Sequence, residues 1–190
     1  MIYLLRILGQ ENRSQEDLKR LKRNLVSFAV KRESSLSYWK EEATPTGAPI
    51  LSEHPELHLS ITHTQGLIGC AIAPCPVGLD AEKMRGRDAY VARKILGEEE
   101  FLQYEVSTDK DQTLLRYFTL KEAYGKALGK GLSYDFKRTN FSFTSSIICS
   151  DIQDAEFYFP FICEDFIISV CYLGGQNSQK ETWTVPFIVP

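Results

Sequence analysis

The chain has 190 residues, 43% of them apolar and 25% charged, and carries a net charge of −3 at pH 7. This length and mixture suit one or two small domains with a core that needs no cross-links, and they exclude a disordered, collagenous or coiled-coil chain. The acidic balance argues against a dedicated nucleic-acid binder, and no window approaches the roughly 18 apolar residues of a membrane span. Five cysteines (Cys70, Cys75, Cys149, Cys163 and Cys171) are an odd number with no CxxC pair. They read as reduced thiols of a cytoplasmic protein, not as a disulfide framework.

The first apolar stretch, Met1 to Leu8, is too short for a signal peptide and reads as a strand. Ser14 followed by Asp17 resembles a capping box. Leu18, Leu21, Leu25 and Phe28 then recur on one helical face. Residues 11–40 hold eight basic and four acidic side chains, either a solvated helix face or an anion-binding surface. Thr44 to Pro49 is a loop by its Pro and Gly content. Leu57, Leu59 and Ile61 alternate as in a strand, Thr62 to Gly66 reads as a turn, and Leu67 to Ala73 as a second, buried strand. From Val77 to Glu82 the alternation resumes, with Val77, Leu79 and Ala81 on one face and Gly78, Asp80 and Glu82 on the other. A helical pattern interrupted at Gly97 runs from Asp88 to Tyr104. A polar loop follows at Asp109 to Asp111, then a strong helix from Leu114 to Leu128, closed by Gly129-Lys130-Gly131. Thr139 to Pro190 reads as short strands. Strands cluster in runs instead of alternating regularly with helices, which predicts an α+β fold. The pattern divides into an N-terminal half, residues 1–77, and a C-terminal half, residues 78–190.

Asp80 and Glu82 share one strand face, about 7 Å apart. Two such carboxylates either face solvent or hold a cation between them, and Mg²⁺ is commonly held by one or two carboxylates with phosphate and water completing the shell. Glu122 and Lys126 are four apart on one helix face. They form either an ordinary surface ion pair or a carboxylate and ammonium suited to phosphoryl transfer. Gly125 between them points to close approach of a backbone or ligand. Lys130 adds a further cation. His63, flanked by Thr62 and Thr64, is either a surface histidine or a phosphate contact. No zinc spacing, P-loop, G-x-S-x-G or G-x-G-x-x-G occurs.

Three of these segments carry a family resemblance. Leu59-Ser60-Ile61-Thr62-His63-Thr64 resembles a serine-histidine-serine turn. Val77-Gly78-Leu79-Asp80-Ala81-Glu82-Lys83 resembles a G-[IV]-D-x-E strand. Phe118 to Gly131, with Lys121, Glu122, Ala123, Lys126, Gly129 and Gly131 in place, resembles W-x-x-K-E-A-x-x-K-x-x-G-x-G. In this order they resemble the 4′-phosphopantetheinyl transferases, in the pseudo-dimeric class that activates peptide and polyketide synthases. The resemblance spans residues 44 to 135. Threonines replace both serines of the turn, Phe118 replaces a tryptophan, and Gly47-Ala48-Pro49 stands where the family has G-K-P.

The resemblance implies an α+β fold of two similar, pseudo-symmetric halves, each a long helix on a small, mostly antiparallel sheet, with the active site at the seam and a monomeric state. It implies transfer of phosphopantetheine from coenzyme A to a serine of an apo acyl or peptidyl carrier protein. Asp80, Glu82 and Glu122 would hold Mg²⁺, or Mn²⁺ in its place. Glu122 would take the serine proton and Lys126 would stabilise the departing phosphate. Thr62, His63 and Lys130 would contact coenzyme A. Arg20, ahead of Lys22 and Arg23, is assigned to the nucleotide. The carrier would dock on the helix after the D-x-E strand, with Val91, Ile95 and Leu96 as apolar contacts and Arg93 and Lys94 as charges. Two alternatives stay open: a Mg²⁺-dependent hydrolase of phosphate esters or anhydrides, and a non-catalytic binder of coenzyme A or carrier protein. Neither nucleic acid nor membrane is an expected partner.

Overall fold

A computed structural model of the chain describes residues 1–9, 13–34, 36, 39–85, 89–130, 134–144, 147–160, 162–163, 165–174 and 187–189. Gly131 and Asp88, which the sequence reading includes in its helix boundaries, lie outside them.

The N-terminal part begins with strand β1 (Ile2–Ile7) and helix α1 (Gln15–Glu33). Ser14 caps α1 with the full capping box, its hydroxyl accepting from the Asp17 amide while the Asp17 carboxylate reaches back. Strands β2 (Glu41–Ala43), β3 (Pro49–Leu51), β4 (His58–Thr64) and β5 (Leu67–Ala73) follow. With β12 (Phe187–Val189) they form a sheet in the order β12-β1-β5-β4-β3-β2, antiparallel except for β12 against β1. Leu25, Val26, Ala29 and Val30 of α1 pack on Tyr3, Leu5, Ile68, Cys70 and Ile72. The opposite face of β1 and β5, with Ile2, Leu4, Ala71 and Ala73, packs on the second sheet. A strand covered on both faces reads as an unbroken apolar run, as β5 does.

The second sheet starts with β6 (Val77–Lys83). Helices α2 (Ala89–Ile95), α3 (Glu98–Val106) and α4 (Lys110–Ala127) come next, then a short 3₁₀ turn (Phe136–Arg138) and the hairpin β7 (Phe141–Phe143) and β8 (Ile148–Ser150). Strands β9 (Ala155–Tyr158), β10 (Ile162–Cys163) and β11 (Phe166–Leu173) complete it. The long strand β11 pairs antiparallel with β6 along one edge and with β9 and β10 along the other. Helix α4 lies across β6 and β11. In each half the first strand pairs with the last, the last with an earlier neighbour, and a long helix covers the pair: β1-β5-β4 with α1, and β6-β11-β9 with α4. The fold is α+β, as the clustering of strands predicts.

Several expected boundaries move. Thr62, His63 and Thr64 belong to β4, not to a turn: they pair with Gly69, Ile68 and Leu67, and the turn is only Gln65-Gly66, with Gly66 at φ +90°. The β-branched threonines extend the strand to its tip. The expected 44–49 loop is a turn over residues 44–48, and Pro49 already belongs to β3; β2 and β3 are too short to show an alternation. The expected helix of residues 88–104 is two, because Gly97 is extended and starts α3 afresh. Helix α4 begins at Lys110, since Asp109 caps it by accepting from the Gln112 amide. Among the described residues no helix is long and apolar enough to cross a membrane.

Candidate active site

The two sheets meet where β4 runs beside β6. Among the described residues no backbone ladder joins β4 to β6; hydroxyls do. Ser60 Oγ accepts the Leu79 amide at 2.9 Å, Thr62 Oγ1 the Ala81 amide at 3.2 Å, and Thr64 Oγ1 the Lys83 amide at 3.4 Å. Side chains on one strand face recur every second residue, and so do the outward amides of the facing strand edge. Hydroxyls at positions 60, 62 and 64 therefore match amides at 79, 81 and 83 in register. The threonines also donate: Thr62 to Asp80 Oδ1 at 3.2 Å and Thr64 to Glu82 Oε2 at 3.5 Å. The ladder thus holds the carboxylates of the D-x-E pair from behind. Thr62, expected as a phosphate contact, is 4% exposed, with its hydroxyl engaged by Asp80 and the Ala81 amide.

Helix α4 approaches the other side of β6 at Gly78. A Cβ at that position would stand 1.8 Å from the Ala123 carbonyl oxygen and 2.6 Å from the Ala127 amide nitrogen. At this strand glycine the two backbones come into close approach. It brings Lys126 Nζ to 2.7 Å from Asp80 Oδ1 and 3.0 Å from the Leu79 carbonyl. Lys126 therefore pairs across to β6. Glu122, 5% exposed, lies one turn before Lys126 on the same helix face. Asp80 is 6% exposed, and its Oδ2 is buried with no hydrogen-bond partner among the described residues. A buried carboxylate oxygen left in this state is costly unless something meets it.

These oxygens are hard donors of the kind Mg²⁺ takes, and an orphaned Asp80 Oδ2 beside Glu82 suits an ion held by one or two carboxylates. The gathering of three carboxylates is not found: among the described residues no three His, Cys, Asp or Glu side chains stand close enough together to hold a metal ion. Glu122 comes from a different element than Asp80 and Glu82, so its distance depends on how α4 is seated.

Beside the seam a groove of roughly 340 Å³ is lined by Lys22, Glu41, Glu42, Gly47, Pro49 and His63, among others. His63 points to the opposite side of β4 from Thr62, as strand alternation requires. Of the three basic residues weighed on α1, Lys22 lines this groove. Arg20 is held in a surface ion pair with Asp17 at 2.8 Å, and Arg23 in one with Glu16 at 2.9 Å. Lys130 is exposed just beyond α4, where Thr46 Oγ1 donates to the Gly129 carbonyl at 2.7 Å and ties the 44–49 turn to the helix end. The structure therefore brings Thr62, Asp80 and Lys126 together and sets Glu82 on Thr64. It keeps His63 in the groove, Lys130 at the helix end and Arg20 in its surface ion pair with Asp17.

On the expected docking helix, Ile95 and Leu96 are buried in the core with Ala92 and Tyr104 and are not surface contacts. Arg93 lies over the Phe101 ring and Lys94 over the Tyr90 ring. The exposed apolar side chains there are Tyr90, Leu102 and Val106. Sequence reasoning ranked Lys22 behind Arg20 because its neighbours are equally basic, and gave Ser60 no role of its own because its partner strand is not visible along the chain.

The family comparison falls on the same segment. The 4′-phosphopantetheinyl transferase superfamily matches residues 76–176, from the start of β6 past the end of β11. A 4′-phosphopantetheinyl transferase of Aneurinibacillus migulanus is 33% identical over 79 residues, 40% of this chain and 33% of its own. One from Bacillus subtilis is 32% identical over 89 residues, 46% of this chain and 40% of its own. The matched stretches thus span well under half the length of these relatives. The holo-[acyl-carrier-protein] synthase of Thermotoga maritima superposes with a TM-score of 0.45 at 24% identity, over 52% of this chain and 62% of its own. With the superfamily match covering just over half of its 190 residues, and including Asp80, Glu82, Glu122 and Lys126, the chain belongs to the 4′-phosphopantetheinyl transferase superfamily.

Proposed function

We propose that the protein transfers 4′-phosphopantetheine from coenzyme A to a serine hydroxyl of an apo acyl or peptidyl carrier protein, releasing adenosine 3′,5′-bisphosphate. The observation that carries this reading is the seam itself. Asp80, held by Thr62 and paired with Lys126 at 2.7 Å, lies within the superfamily match. A strand carboxylate beside a helix ammonium, with a second acid one turn away on the same helix, is an arrangement suited to in-line phosphoryl transfer.

Asp80, with its unmet Oδ2, and Glu82 would hold Mg²⁺ or Mn²⁺. Bound there, the ion supplies neutralisation of charge on the pyrophosphate. Glu122 takes the proton of the attacking serine as its oxygen bonds to the phosphorus on the pantetheine side. The bond from that phosphorus to the bridging oxygen breaks, and Lys126 stabilises the departing phosphate. The fixed ammonium requires little reorganisation as charge develops there. Lys22 and His63 in the groove, with Lys130 beside the helix end, hold the phosphates of the nucleotide end, and Lys22 takes the role first assigned to Arg20. Thr62 acts through Asp80. The two halves, residues 1–77 and 78–190, each supply one side of the seam, so a cytoplasmic monomer suffices.

The reading is tested by following release of adenosine 3′,5′-bisphosphate from coenzyme A and Mg²⁺ with and without an apo carrier protein. Release only with the carrier is the expected result. Release at the same rate without it would replace the transferase by a hydrolase, and no release with either carrier class would leave a binder.

A further inference from the structure

Away from the seam, the most constrained charges lie inside the C-terminal half. Lys121 and Glu100 are both fully buried at 0% exposure, with Lys121 Nζ 2.8 Å from Glu100 Oε2. The ammonium also donates to the carbonyls of Phe136 and Thr139, each at 2.6 Å, so its three donors meet three acceptors. Glu100 accepts the Gly97 amide on Oε2 and the Phe141 amide on Oε1, both at 2.8 Å. One ion pair thereby joins the start of α3, the middle of α4, the 3₁₀ turn and β7.

Stability alone does not call for such a pair. Desolvation offsets most of the attraction, and apolar residues of similar volume often serve as well or better. What the pair adds is direction. The apolar packing of Leu114 and Leu120 on Ala92, Leu96 and Tyr104 is non-directional and tolerates some rotation of the helix about its axis, and the bonds of Tyr117 to Gln103 and Thr119 to Ser169 are single contacts. Three hydrogen bonds to fixed points do not tolerate such rotation. Glu122 is the next residue after Lys121. On a helix of about 5–6 Å outer radius, a rotation of about 20° carries a side-chain tip by about 2 Å. A displacement of that size takes a reacting group out of productive geometry.

We infer that Glu100 and Lys121 are positioning residues of the transfer reaction, fixing the rotation of α4 and with it the placement of Glu122 and Lys126; this rests on the function proposed above. Gly78 sets how near the helix lies, and the Glu100–Lys121 pair sets which way it faces.

The test is the double variant Glu100→Gln with Lys121→Met, which removes the charges together and keeps a carbonyl for a backbone amide. It is assayed well below its own unfolding midpoint against coenzyme A and an apo carrier. The expected result is a cooperatively unfolding protein whose kcat is at least tenfold below wild type, with KM for coenzyme A within threefold. A folded variant with kcat within twofold of wild type overturns the inference, as does a change confined to KM. Should the double variant not fold, Glu100→Gln alone is judged by the same criteria. If the wild type itself transfers nothing, the functional reading has failed. The positioning claim is then judged on the crystal structure of the variant: a Lys126–Asp80 contact still near 2.7 Å overturns it, and a separation beyond hydrogen-bond reach supports it.

Discussion

Gly78→Ala is the smallest change that separates α4 from β6. The new methyl would stand 1.8 Å from the Ala123 carbonyl oxygen, 2.6 Å from the Ala127 nitrogen and 2.8 Å from the Ala123 carbonyl carbon. These are backbone atoms, so no rotamer change relieves the overlap. To reach an ordinary contact of ~3.5 Å the helix must retreat by about 1.5 Å. The Lys126–Asp80 contact at 2.7 Å then opens beyond hydrogen-bond reach. Overpacking accounts for about 1–3 kcal/mol, and a nearly buried Asp80 deprived of its partner for about 1–3 kcal/mol more. The expected destabilisation is therefore about 2–6 kcal/mol, which in a chain of this size lowers Tm by roughly 4–24 °C. Transferase kcat should fall by at least ~100-fold, since the groups on α4 are displaced by more than 1 Å. Calorimetry and a carrier-modification assay on the same preparation check both. A Gly78→Ala protein with Tm within about 2 °C of wild type and unchanged kcat would refute the close crossing and the account of how the site is set.

Thr62→Val removes the hydroxyl that accepts the Ala81 amide and donates to Asp80, leaving a buried donor unmet; a loss of about 1–3 kcal/mol is expected by chemical denaturation, with Thr62→Ser restoring most of it. Equal midpoints for Thr62→Val and wild type would argue that the hydroxyl ladder does not hold the sheets. Lys22→Ala should raise KM for coenzyme A by roughly tenfold, a charge-assisted contact of ~1.4 kcal/mol, whereas Arg20→Ala should leave it unchanged; the reverse order would return the nucleotide contact to Arg20. Burial holds the His58 imidazole below its usual pKa. The unfolded chain then binds the proton first as pH falls, so the contribution of His58 is intact above about pH 6.5 and declines below it. His58→Asn should flatten the acid-side fall of the unfolding midpoint, and an identical pH profile would show that His58 takes no part in it.

Much of this site is written locally in the chain, and what is not depends on residues distant in sequence. The D-x-E alternation places Asp80 and Glu82 on one face because strand periodicity is a property of neighbours. The four-residue spacing of Glu122 and Lys126 gives their common helix face in the same way. The partner of Lys126 is another matter. A surface pair with Glu122 is the local expectation, yet the ammonium sits on Asp80, 46 residues away, because Gly78 admits the helix backbone. Along the chain Thr62 and Thr64 look like turn chemistry and Ser60 like an ordinary strand residue. They are an adapter between two sheets, and that becomes visible only when β6 lies alongside. The same holds for Lys121, which by charge belongs on a surface and is buried because Glu100 awaits it across the core. Helix α1 shows why Arg20 and Lys22 are hard to separate along the chain: two residues apart on a helix they point about 200° apart, and only the groove decides between them.

Intact-protein mass spectrometry tests the central claim most directly. Apo acyl carrier protein and apo peptidyl carrier protein are each incubated with this protein, coenzyme A and Mg²⁺, beside a Glu122→Ala control. The account predicts that at least one carrier gains the mass of a single phosphopantetheine arm on its serine, and that the Glu122→Ala control yields none. Carriers of both classes left unmodified by a folded wild-type protein, or a control that modifies them as fast as wild type, would contradict it.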